Sequence, residues 1–186
     1  MTLKELKNKV LSMIEELNPL SDYLTDDPDI QAKINHVVDQ IQNEVARFKK
    51  IPKYVEIPVK EGDLLDFEKI GDVCGYEIYQ IDVVCGVRYH PKASGTVLKI
   101  LESGTAEISC FVYPEGITDQ TSDSHEFELS NDALEIMPYG VAGDLLKSDI
   151  SADYGSIYST RYREMLERLD HRYHLATFRF EGGVNV

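Results

Sequence analysis

Pro138-Tyr139-Gly140-Val141-Ala142-Gly143-Asp144-Leu145-Leu146-Lys147-Ser148-Asp149 is followed, after a short break, by tyrosines at Tyr154, Tyr158 and Tyr162, with Arg161 among them. The stretch reads as a helical hairpin with a tyrosine-lined seam. Steps of about four residues place Tyr154, Tyr158, Tyr162 and Met165 near one helical stripe, while Gly140, Ala142 and Gly143 remove bulk and let a second helix approach closely. A phenol buries its ring and still hydrogen-bonds at its edge. With Tyr139, these positions suit an interface between helices or between subunits. Nothing beside them supplies an activated nucleophile or a metal-ligand set.

Outward from the hairpin, the rest of the chain falls into blocks. Thr2 and Glu5 form a capping box, and Leu3, Leu6, Val10, Ile14 and Leu17 follow at helical spacing, which predicts a helix over 3–17. Pro28 suits the first turn of a second helix, whose apolar face is Ile30, Ile34, Val37, Val38, Ile41, Val45 and Phe48. Arg47, Lys49, Lys50 and Lys53 gather where a helix exposes its last carbonyls, and dipole complementation accounts for them. From Tyr54 the period becomes two. Strands are predicted over 54–59, 76–81, 96–101 and 107–113, punctuated by glycines. Helical spacing resumes after Ser130, where Pro138 should kink or interrupt the helix, and a final helix runs to about His171. The predicted fold class is α+β: a four-helix core, two helices from each end of the chain, with an inserted antiparallel β module and an extended carboxyl-terminal tail. The expected division is 1–53 with 130–176 for the helical core, 54–129 for the β module and 177–186 for the arm.

A chain of 186 residues suffices for one cored domain carrying an insertion. Its formal net charge of −14 argues against gripping nucleic acid, which requires Lys and Arg against phosphates. Cys74, Cys85 and Cys110 are odd in number, contain no C-x-x-C pair and lie among β-type residues, so they read as buried thiols of a reduced protein. Neither a basic-then-apolar leader nor a run of about 20 apolar residues is evident, so secretion and membrane insertion are not expected.

The candidates for chemistry are thin. Asp119, Asp123, His125 and Glu126 form the densest set of ligand-type residues, but their spacing matches neither an EF-hand loop nor a zinc-protease helix, and they read as a polar loop leading into a helix. His171 and His174 provide only two ligands. Gly71-Asp72-Val73-Cys74-Gly75 reads as a turn entering a strand with a buried thiol. The phosphate-loop and nucleophile-elbow patterns are absent. No catalytic, cofactor or metal residue is therefore assigned. The tail alternates, Phe178 and Phe180 on one face and Arg179 on the other, with Val184 and Val186 beyond Gly182-Gly183. Such a segment can add as a strand to a sheet edge of another chain, complete its own sheet, or fray.

The order of elements, and above all Tyr139-Gly140-Val141-Ala142 with Leu145-Leu146, Asp149 and the row Tyr154, Tyr158, Arg161-Tyr162, resembles the head-to-tail adaptor, or connector, proteins of tailed bacteriophages. The resemblance is carried mainly by the carboxyl-terminal hairpin. It implies a structural, non-enzymatic virion protein of the neck, made in the host cytoplasm, that assembles as a ring on the portal protein and extends the DNA channel. By the same resemblance the ring is a cyclic, dodecameric homo-oligomer, whether or not the free chain is monomeric, and a tail or next neck protein attaches to it. DNA would pass through the lumen without specific binding, and the acidic surface would reduce sticking. Phe178, Arg179, Phe180, Val184 and Val186 would form the docking arm toward the portal or a neighbouring subunit. Two other readings stand beside it: a cytosolic protein-binding module with no viral role, and a metal-dependent hydrolase using Asp119, Asp123 and His125.

Overall fold

A computed structural model describes residues 1–17, 28–92, 96–147 and 152–171. In chain order the elements are α1 (Leu3–Leu17), α2 (Pro28–Phe48), β1 (Ile51–Val59), β2 (Leu64–Asp66), α3 (Phe67–Cys74), β3 (Ile78–Cys85), β4 (Tyr89–Lys92), β5 (Val97–Ile100), β6 (Gly104–Val112), α4 (Asn131–Leu134), α5 (Met137–Leu146) and α6 (Ala152–His171). The class is α+β, as the periodicities predict.

Helix α1 starts on the expected capping box: the Thr2 amide donates to Glu5 Oε2 at 2.9 Å and the Glu5 amide to Thr2 Oγ1 at 3.2 Å. Its apolar stripe, Leu3, Leu6, Val10 and Ile14, is fully buried. Helix α5 is apolar nearly all round, with Met137, Pro138, Val141, Ala142, Leu145 and Leu146 buried, and such a helix needs partners on several sides. It finds them in α1, α2 and α6. Pro138 sits in the first turn of α5, where its missing N–H costs nothing, and the preceding helix is cut short at Leu134. The interruption expected at Pro138 is thus a clean break between α4 and α5.

The β module consists of two three-stranded antiparallel sheets, ordered β1-β6-β3 and β2-β5-β4. Alternation works as the period of two requires: Val55, Ile57 and Val59 of β1 and Ala106, Ile108, Cys110 and Val112 of β6 point inward. Ile70 of α3 completes this second core with Leu65, Leu98 and Ile100. Two cores therefore exist, and Ile51 packs against both. The strands occupy 51–112. From Tyr113 the chain returns to the helices and buries Ile117, Phe127 and Leu129 in the helical core. Ile51 is the register partner of Val112, so the module is entered and left side by side.

Helix α3 and strands β2 and β4 lie where no element was expected. Asp66 caps α3 by accepting from the Lys69 amide at 2.9 Å, and Gly75 ends it in the left-handed region (φ 76), its N–H donating to Gly71 O. The supposed turn at Gly71–Gly75 is therefore the last turn of this helix. The outer strands carry features that discourage further pairing: Pro52 and Pro58 in β1, register shifts after Ile78 and Ile81 in β3, Pro91 and Lys92 in β4, and only three residues in β2.

Candidate functional site

Within the chain the tyrosine seam is a helix–helix contact. A Cβ on Gly140 would stand 2.9 Å from the Tyr162 ring and 3.0 Å from Ile41 Cγ2; one on Gly143 would stand 2.7 Å from Ser159 Oγ and 2.9 Å from the Ser159 amide nitrogen. Only glycine allows α5 to meet α6 and α2 this closely. Tyr162 is buried and its hydroxyl donates to Glu44 Oε2 at 2.9 Å; burial, reinforced by that carboxylate, raises its pKa strongly. Tyr139 and Tyr158 meet edge to face at 6.2 Å, and the Tyr158 hydroxyl donates to Met13 O at 3.0 Å, tying α6 to α1. Ala142 is fully buried in α5. Arg161 stays exposed and faces Glu164 at 3.4 Å. Tyr154 lies on α6, with its side chain outside the described residues. Gly140, Gly143 and Tyr162 make helix–helix contacts inside the protomer.

The basic cluster at the end of α2 also has a different use from dipole complementation. Arg47 donates through Nε to the Tyr113 hydroxyl at 2.9 Å and lies against that ring, which packs tilted against Tyr79 with ring centres 4.8 Å apart; Tyr79 in turn donates to Ala46 O. Lys49 pairs with Asp132 at 2.9 Å, Lys50 sits over Phe111, and Lys53 sits 3.9 Å from the Tyr76 ring centre and 3.7 Å from Glu128. The Tyr76 hydroxyl, more than Glu128, raises the pKa of Lys53. Arg47, Lys50 and Lys53 latch the β module to the helical part, while the Lys49–Asp132 pair joins the end of α2 to α4. Sequence alone shows the cations and not their partners, which lie 23 to 83 positions away in the chain and become neighbours only when the module folds back.

The loop of Asp119, Asp123, His125 and Glu126 closes the amino end of α1. The Leu3 and Lys4 amides donate to the carbonyls of His125 and Asp123 at 2.9 and 3.0 Å, and Thr2 bridges Glu126. The side chains disperse: Asp123 lies 3.6 Å from Lys7, and His125 lies 3.9 Å from Glu115. Among the described residues no three His, Cys, Asp or Glu side chains are placed to hold a metal ion. His174 and the arm residues Phe178, Arg179, Phe180, Val184 and Val186 lie outside the described residues.

A surface that the sequence did not disclose is the outer face of the β1-β6-β3 sheet. Ser109 is flanked by Tyr54, 59% exposed, and Val83, 49% exposed; Phe111 is flanked by Pro52 and Gln80; Glu107 is flanked by Glu56 and Cys85. Val83 and Cys85 stand on the outward face of β3, opposite Ser109 and Glu107, so Cys85 is exposed rather than buried as its apolar neighbours suggested. Among the described residues the large exposed apolar side chains are Tyr54, Leu64, Val73, Val83, Tyr89 and Leu101 on the module, against Ile157 alone on the helices. No protein-family model matches the chain, and comparison with curated proteins finds no match. Among the described residues no helix is long and apolar enough to cross a membrane.

Proposed function

We propose that this chain is a structural subunit that works by assembly: a head–tail connector of a tailed bacteriophage, ringed on the portal, lengthening the DNA channel and presenting the surface to which the tail or next neck protein attaches. The observation that supports it best is the uneven distribution of exposed apolar side chains, concentrated on a β module that is latched to a helical core already satisfied internally. Exposed apolar groups rimmed by carboxylates mark surfaces for other proteins. A closed ring needs two unlike complementary patches on each protomer, and the module face and the Ile157 side of α6 are two such unlike surfaces. The net charge of −14 suits a channel wall past which DNA slides, and the arm at 177–186 supplies the segment for portal docking.

Sedimentation of the purified protein, alone and with the portal of the same phage, tests this. A saturable complex with many copies per portal is expected. Absence of association at every salt concentration would overturn the connector reading and leave the protein-binding module, which the same exposed face also supports.

A further inference from the structure

The outer face of the β1-β6-β3 sheet carries an imbalance of charge beside its exposed apolar groups. Glu56 and Glu107 are register partners and both are exposed, and like charges directly opposite each other on a sheet face repel. The next pair on the same face is Tyr54 with Ser109, flanked by Val83, and the next is Pro52 with Phe111, flanked by Gln80. None of these positions is basic. Lys50, with its Nζ 4.4 Å from the Phe111 ring centre, meets the face only at the root of the module. A segment that covers this face must therefore bring apolar groups for Tyr54 and Val83 and a cation for Glu56 and Glu107.

The chain itself holds such a segment. The stretch 172–180 contains Tyr173, Phe178 and Phe180 with Arg172 and Arg179, and it has no acidic residue, in a chain whose net charge is −14. It continues from α6, whose last turns lie beside the root of the module: Arg168 and Leu169 share a small cleft with Asp132, Asp132 holds Lys49 at 2.9 Å, and Lys49 stands just before β1. From Pro52 to Glu56 the face runs ~14 Å, whereas a stretch of this length reaches ~30 Å when extended, so it can span the face from that side. We propose that residues 172–180 cover the outer face of β1-β6-β3 in the same chain, aromatic side chains against Tyr54 and Val83 and an arginine against Glu56 and Glu107. Arginine suits the place because its planar fork pairs with carboxylates and its flat face packs on a tyrosine ring. The contact is with the face and not with a strand edge, so the prolines and register shifts that guard the outer strands do not oppose it. Any protein that docks on this face has to displace the cover, which makes the free chain less adhesive than its exposed apolar groups imply. The inference is independent of the connector reading.

Cys85 stands on this face opposite Glu107 and reports the cover. The full-length protein is pulsed with N-ethylmaleimide and alkylation of Cys85 is followed by mass spectrometry, in the wild type and in a variant carrying Phe178→Ser and Phe180→Ser. Cys85 is expected to react severalfold more slowly in the wild type, with a protection that weakens as salt is raised and does not depend on protein concentration. Equal rates in the two proteins would overturn the proposal. Protection that grows with protein concentration would overturn it in favour of the same segment from a second copy. Portal binding enters neither outcome, so failure here leaves the connector reading where it stood.

Discussion

At the scale of single residues the molecule is least forgiving where α5 meets α6. Gly143 has Ser159 backbone within 2.9 Å of where a Cβ would be, and backbone cannot swing aside as a flexible side chain can. Gly143→Ala is expected to destabilise by about 1–3 kcal/mol, read from the midpoint of urea unfolding at unchanged slope. Gly140→Ala meets the Tyr162 ring and should cost an amount at the lower end of the same range. Tyr162→Phe keeps the packing and removes the bond to Glu44, which solvent can then hydrate, so a loss of about 0.5–1.5 kcal/mol is expected in the same assay. The glycines and tyrosines were legible as a seam because each type has one obvious physical use at helical spacing. Their partners were not legible, since Ile41 and Glu44 belong to a helix roughly a hundred residues earlier.

Between elements, Lys49 ties the end of α2 to Asp132 in α4. Asp132 is partly desolvated, which by itself would raise its pKa, but hydrogen bonds from Ser130 and Lys49 outweigh this and lower it from the ordinary 3.8. A carboxylate whose folded value lies below its unfolded value contributes stability that is complete above the unfolded value and is lost as pH falls through the folded one. Stability measured between pH 6 and pH 2 should therefore fall at the acid end, and Asp132→Asn should flatten part of that fall while costing about 0.5–1 kcal/mol at pH 7. The long amphipathic helices could be read from their apolar stripes, and β1, β5 and β6 from alternation. Helix α3 could not: at eight residues with Gly71 inside, it offers little periodic signal, and Gly75 reads equally well as punctuation before a strand. In β3 the apolar Val83 and Cys85 stand on the outward face, so the apolar neighbourhood that made Cys85 read as buried was misleading.

For the whole molecule, assembly and folding should be separable. Tyr54→Ser with Val83→Ser removes apolar surface from the outer sheet face and should leave the melting temperature nearly unchanged while weakening capture of whichever protein docks there; for the connector this is scored as copies bound per portal. Equal binding would show that this face is not the docking surface. The outer strands, guarded by prolines and register shifts, make sheet-edge pairing between copies unfavourable, so an arm that adds as a strand must find its edge on another protein.

Because Ile51 and Val112 stand opposite each other and the helical core closes on its own apolar residues, the stretch between them is a cassette. Replacing 52–111 with a short Gly-Ser turn should give a smaller helical protein that still melts cooperatively, checked by circular dichroism; an unfolded product would mean that the two cores depend on each other. A cassette joined through adjacent ends can be lost, gained or exchanged among lineages without rebuilding its host, which lets recognition diversify far faster than the helices that carry it.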